Sequence, residues 1–200
     1  MKETVLITGH ESEFEQKLAE IFTREGYTVF CTGQQPEPFH EKIDYWVDTT
    51  DARDAADTFS LSDGINTTVI ESTFRANVLQ PMALLEKYLH LLDAGERKRL
   101  VFLTAAGASL NETKNTRHFG YTMSKAALHQ FIQLTRNKLA GKGYTFRVFD
   151  PMTGIIPPDK AAKAAFHYIT RRRGTENHDP NRNDEENLVM RDALGRMHGW

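Results

Sequence analysis

Cysteine is almost absent: Cys31 is the one thiol in 200 residues, which excludes an internal disulfide. Long hydrophobic runs are missing as well. None approaches the ~18 consecutive apolar residues of a membrane-spanning helix, and residues 1–8 lead straight into a short apolar segment instead of a signal peptide's long one. A cytoplasmic protein is expected. Nor does one sign of charge dominate, since 25 Lys and Arg against 27 Asp and Glu leave a formal net charge of −2. That balance gives no broad basic field for nucleic acid, and Arg171–Arg173 is too short to make one. The eight histidines are scattered without a His-x-x-x-His pair or a Cys cluster, so no metal site is expected. No internal repeat or low-complexity tract is present. Two hundred residues suit one domain, 1–200, able to bury about 70% of the surface of its unfolded chain.

What is present is an alternation of strand and helix patterns. Thr4–Thr8 is an apolar run that stops at Gly9, as a buried parallel strand does. Ser12 with Glu15 three residues later predicts a capping box. Phe14, Leu18, Ile21 and Phe22 then give one apolar helix face, and Gly26 ends the helix before the strand Tyr27–Thr32. This is a βαβ unit, whose crossover should be right-handed. Further strands are predicted at Tyr45–Thr50, Leu100–Thr104 and Tyr144–Phe149. Helices are expected over about 68–94, 120–140 and 158–173, then a polar loop over 174–186 and a terminal strand and turn over 187–200. Such an order predicts an α/β fold, a three-layer α/β/α sandwich around a mostly parallel sheet.

The segment Gly120-Tyr-Thr-Met-Ser-Lys-Ala-Ala-Leu128 puts Tyr121 and Lys125 one turn apart on one helix face. A phenol beside an ammonium can have its pKa lowered from ~10 and exchange a proton with a substrate oxygen. Upstream lie the strand Arg99–Gly107, ending in small residues, and the helical segment Phe74–Leu85, which carries Asn77 and Pro81. In this order these landmarks resemble the short-chain dehydrogenase/reductase family, a shortened and divergent member of it. The resemblance implies a Rossmann-type NAD(P)-dependent oxidoreductase acting on a small carbonyl or alcohol. Tyr121 would move the proton and Lys125 would lower its pKa and hold the ribose. Asn77 would support a water relay through a carbonyl that Pro81 leaves without its helical partner, provided the helix does not simply begin at Pro81. Thr104 or Ser109 would steady the substrate oxygen. Thr8, Gly9, Ser12, Gln34, Pro151 and Thr153 fall where the family holds NAD or NADP. A homodimer or homotetramer through helices 68–94 and 120–140 is also implied, unless the 52–67 loop covers those helices.

Several positions depart from that pattern. The family's Thr-Gly-x-x-x-Gly-x-Gly turn reads Thr8-Gly9-His10-Glu11-Ser12-Glu13-Phe14-Glu15, with carboxylates at both later glycines. Gln34 is neither the acidic nor the basic residue that selects a ribose or its phosphate. Val47-Asp-Thr-Thr-Asp51 replaces Val-Asn-Asn-Ala-Gly, and Met152 replaces the glycine of a Pro-Gly segment. If Tyr45–Thr50 is the family's fourth strand, the third strand and its helix are missing; the rival alignment makes it the third and loses the fourth. The alternative function is therefore a catalytically silent, dimeric binding or regulatory protein on the same fold.

Overall fold

The computed structural model describes residues 2–9, 11–34, 39–57, 64–114, 116–171, 184 and 187–200. Seven strands form one sheet: β1 (Thr4–Ile7), β2 (Thr28–Cys31), β3 (Tyr45–Asp48), β4 (Arg99–Leu103), β5 (Thr145–Asp150), β6 (Met190–Asp192) and β7 (Met197–His198). Their spatial order is β2-β1-β3-β4-β5-β6-β7, parallel through β6, with β7 returning antiparallel. Tyr45 pairs with Val5 on one side and with Arg99 on the other. β3 thus occupies the central position next to β1, so the family's outer third strand is the missing one, and no strand lies beyond β2 among the described residues. Strand order reverses between β1 and β3, and in open α/β sheets ligands bind in the crevice beyond the carboxyl ends at such a point.

Side chains alternate across each strand, which divides the core in two. Val5, Ile7, Tyr45, Val47, Val101 and Phe149 face α1 (Glu13–Arg24) and α5 (Pro158–Thr170). Leu6, Trp46, Leu100, Phe102 and Val148 face the opposite layer, made of α3 (Gln80–Asp93) and α4 (Phe119–Leu139). α2 (Thr67–Phe74) packs on α4 and runs into α3 through a wide π turn at Arg75–Leu79. Pro81 supplies the reason: it has no N–H for the carbonyl four residues back, so the helix widens and Gln80 N–H reaches Arg75 O instead. The chain is therefore helical through Asn77, and the helix does not begin at Pro81.

The capping box forms as expected. Ser12 Oγ accepts from Glu15 N at 3.2 Å, and Glu15 Oε2 accepts from Ser12 N at 2.8 Å. At the far end of the sheet two buried arginines cap α5, with Arg99 Nη1 donating to Arg171 O at 2.8 Å and Arg147 Nε to Tyr168 O at 3.2 Å. The polar loop expected over 174–186 lies outside the described residues except for Asp184, which pairs with Arg171 and Arg191. Most of the tip of the 52–67 loop, residues 58–63, is outside them too. No described helix is long and apolar enough to cross a membrane.

Candidate functional site

Three segments meet at the carboxyl edge of β3 and β4. α4 contributes Tyr121, Ser124 and Lys125, all buried, and its N-terminus is fixed by Asp57, whose carboxylate accepts from Gly120 N at 3.1 Å and Tyr121 N at 2.9 Å. The π turn contributes Asn77, whose amide pairs with both backbone groups of Ala52 at 2.8 and 2.9 Å and donates to Ser124 Oγ at 3.0 Å. Asn77 therefore pins the segment after β3 to the Tyr121 helix. That segment contributes Asp51 and Arg53, neither of which the sequence reading singled out for a role.

Tyr121 Oη donates to Asp51 Oδ1 at 2.6 Å and accepts from Arg53 Nη2 at 3.0 Å, while the Arg53 guanidinium lies 4.5 Å from the centre of its ring. Lys125 Nζ donates to Thr50 O at 2.5 Å and Leu103 O at 3.3 Å, and it stands 3.3 Å from Asp51 Oδ1. Tyr121 and Lys125 are thus joined through a carboxylate. The consequence reverses the expected titration. Burial, and then the negative charge of Asp51, raise the phenol's pKa above its ordinary value, and Arg53 offsets only part of this. Burial opposes the charge on Asp51, but Lys125, Arg53 and the hydrogen bonds it accepts hold its pKa below the usual range. A general acid or base works best with a pKa near the ambient pH, and Tyr121 is moved the other way.

The two candidate hydroxyls lie elsewhere. Thr104 Oγ1 sits 2.5 Å from His129 Nε2 in the core, beside the edge of Trp200. Buried Ser109 uses its Oγ to accept from Asn111 N and Glu112 N, which closes a turn. Neither has a hydrogen bond to Tyr121 among the described residues. Burial, with Lys125 a smaller cause, lowers the His129 pKa to about 4, so this imidazole is a neutral core group.

On the nucleotide side, three of the residues expected to hold NAD or NADP, Thr8, Gly9 and Ser12, are engaged by the protein itself. Glu15 folds its carboxylate over Gly9, where a Cβ would collide with it, and accepts from Ser12 N and from Thr49 Oγ1 at 2.6 Å. Thr8 Oγ1 donates to Asp48 Oδ1 at 3.0 Å and accepts from Thr49 N at 3.1 Å. The other oxygen of Asp48 is buried without a partner among the described residues, and burial raises that carboxyl's pKa. Gln34 lines a groove with Glu15, Glu20, Arg24 and Cys31. Pro151 and Thr153 line a different, apolar one with Phe14, Ile155 and Ile156. Met152 takes φ +54°, a left-handed conformation that glycine would adopt without strain. A diphosphate needs free helix N–H groups and no nearby negative charge. Here the turn holds a buried carboxylate in that place, so these residues do not fit a dinucleotide diphosphate.

A separate cleft of about 420 Å³ opens beside the phenol, lined by Arg53, Asp54, Ala55, Gly107, His118, Tyr121 and Thr122. Among the described residues no group of three or more His, Cys, Asp or Glu is placed to hold a metal ion.

No protein-family model matches the chain. A relative named as an uncharacterized oxidoreductase of Schizosaccharomyces pombe is 23% identical over 193 residues, covering 80% of this chain and 75% of its own. Carbonyl reductase Sniffer of D. melanogaster superimposes with a TM-score of 0.80 at 12% identity, over 100% of both chains. A short-chain dehydrogenase/reductase of Burkholderia multivorans with bound NADP gives 0.75 at 15% identity, again over 100% of both. At these identities the likeness establishes the fold, which is that of the short-chain dehydrogenases and reductases.

Proposed function

We propose that this protein is a small-molecule-binding member of the short-chain dehydrogenase/reductase fold that takes no dinucleotide, acting as a cytoplasmic homodimer. One observation carries the reading: the Glu15 carboxylate spans Gly9 and takes the Ser12 amide and the Thr49 hydroxyl. An external diphosphate would have to displace a satisfied, buried anion of the same sign. The raised pKa of Tyr121 supports a binding role over proton transfer, because a phenol tied to Asp51 is a poor proton donor. For the dimer, the support is a set of exposed apolar side chains on the two helices of one layer, Met82 on α3 and Met123 and Leu134 on α4, with Leu79 on the π turn. The lone cysteine accords with a reducing compartment.

The test is a thermal melt with millimolar NADH and NADPH. A ligand at 100 times its dissociation constant stabilises its protein by about 2.7 kcal/mol, and no such shift is expected here. A saturable shift with either nucleotide would sink the reading. Sedimentation at micromolar concentration should give a dimer, and a monomer would remove that part.

A second reading is an NAD(P)-dependent reductase of a small carbonyl or alcohol. The gathering of Tyr121, Lys125 and Asn77 at one point of the sheet edge supports it, as do the names of the relatives. It requires Glu15 to leave the turn.

A further inference from the structure

We propose that the cleft beside Tyr121 binds a small organic monocarboxylate, gripped by the outer edge of the Arg53 guanidinium. This rests on the reading that the cleft is the ligand site of a protein without a dinucleotide, and it adds the chemical class of the ligand.

Arg53 has donors that the described residues leave unspent. Nε donates to Asp51 Oδ2 at 3.2 Å, and Nη2, which stands at the same distance from that oxygen as part of the ion pair, donates one N–H to Tyr121 Oη at 3.0 Å. Nη1 has no partner among the described residues, and Nη2 carries a second N–H. The Nη1/Nη2 edge is therefore unspent on a side chain that is 49% exposed and lines the cleft. It is also held in place. The Asp51 carboxylate fixes one edge of the plane, and the Tyr121 ring at 4.5 Å fixes its face, so little rotamer entropy remains to be lost when a ligand arrives. A planar fork with a free edge matches a carboxylate through two parallel N–H···O bonds.

The surrounding charges narrow the class. Lys125 is buried behind the phenol and Asp57 sits on the backbone of Tyr121, so the half-exposed Arg53 guanidinium is the cationic group that lines the cleft. Asp54 stands on the same rim, with Oδ1 accepting from Ala56 N at 2.8 Å. A second anionic group on the ligand, or a phosphate dianion, would be repelled by that carboxylate more than a single carboxylate would. Ala55, Gly107 and Thr122 supply the small-residue wall against which a short carbon skeleton can lie, and His118 stands among the lining residues. The cleft volume of about 420 Å³ lies within the range of small-molecule sites.

The experiment titrates the full chain with acetate, pyruvate and benzoate at constant ionic strength, followed by 1H–15N NMR. Pyruvamide serves as the neutral counterpart and inorganic phosphate as a general anion. At least one carboxylate should shift the Arg53 Nε–H and the Gly107 and Thr122 amides saturably. Pyruvamide, and the Arg53→Lys variant with any of the three acids, should bind at least about ten-fold more weakly, because the charge or the planar fork is lost. Equal binding of pyruvamide, or an unchanged affinity in Arg53→Lys, overturns the proposal. So does phosphate binding as tightly as the best acid, or the absence of saturation by all three. If Arg53→Lys does not fold, the comparison of acids with amide and phosphate on the wild-type chain decides alone. Nucleotide melts address the other reading separately: carboxylates failing while NADPH gives no shift removes only the ligand class.

Discussion

Two polar nests sit at the carboxyl edge of the same sheet, and each contains a carboxylate where the related family carries glycine. At the start of α1, Glu15 satisfies donors three residues away and the end of β3. Beside α4, Asp51 satisfies a phenol and an ammonium that are about 70 residues distant. The first nest is mostly local, so its anion closes a helix end. The second is assembled from three segments, so its anion links them and resets their titration. In both places an internal negative charge takes the donors that a ligand would otherwise use, and only Arg53 on the second nest keeps an edge for something else.

Breaking the second nest should have the largest effect. Lys125 is fully buried, and Lys125→Met leaves Asp51 short of a cation and two carbonyls without their donor. A loss of about 3–5 kcal/mol is expected in urea denaturation. A cost below about 1 kcal/mol would mean that Asp51 and Arg53 carry the cluster without it. Acid probes the layer behind the nest. His129 is neutral when folded, with a pKa near 4 against 6.5 unfolded, so the unfolded chain binds the extra proton between those values. Stability should be complete above about pH 6.5 and fall by on the order of 3 kcal/mol as the pH drops to 4, and His129→Phe should flatten that slope.

The first nest should be weaker. Glu15→Ala removes one capping bond and the Thr49 contact, for about 1–2 kcal/mol in the same assay. The double variant Glu13→Gly/Glu15→Gly sharpens the comparison, because clearing the turn should let NADPH produce a thermal shift that the wild type lacks. Smallest of all should be the effect at His198, which lies between Glu112 Oε2 and Asp192 Oδ2, both at 2.9 Å. Burial lowers its pKa, but bonds to Asp192 and Glu112 outweigh this and raise it. Its contribution is therefore present below about pH 6.5 and lost as the pH rises through the folded value. His198→Gln should remove that alkaline-side slope while leaving the acid-side slope of His129 intact.

Local patterns were legible without coordinates. Ser12 and Glu15 form their box because its donors and acceptors lie within one turn, and Pro81 perturbs a helix because its missing N–H is a property of the residue itself. The central place of β3 agrees with the alignment of Tyr45–Thr50 to the family's fourth strand, and its pairing with both β1 and β4 decides against the rival alignment. Less legible were the partners of side chains. Thr104 and Ser109 have the right residue type near the right offset, yet one hydroxyl turns to His129 and the other to its own loop. Asp51 was visible only as a departure from a familiar segment, while Arg53 and Asp57 lay in a stretch whose irregular pattern gives no direction for its side chains.

The amino-acid order by itself determined the alternation of strands and helices, the capped first helix, the single-turn spacing of Tyr121 and Lys125, and the loss of the glycine-rich turn. Only the tertiary structure decided that Asp51 would stand between that phenol and ammonium, that Thr49 would complete Glu15, and that one edge of Arg53 would remain open to a cleft. The reason is range. Helix periodicity and capping act over three or four residues, whereas a pKa and a binding edge are set by charges that only the folded sheet brings within a few ångströms.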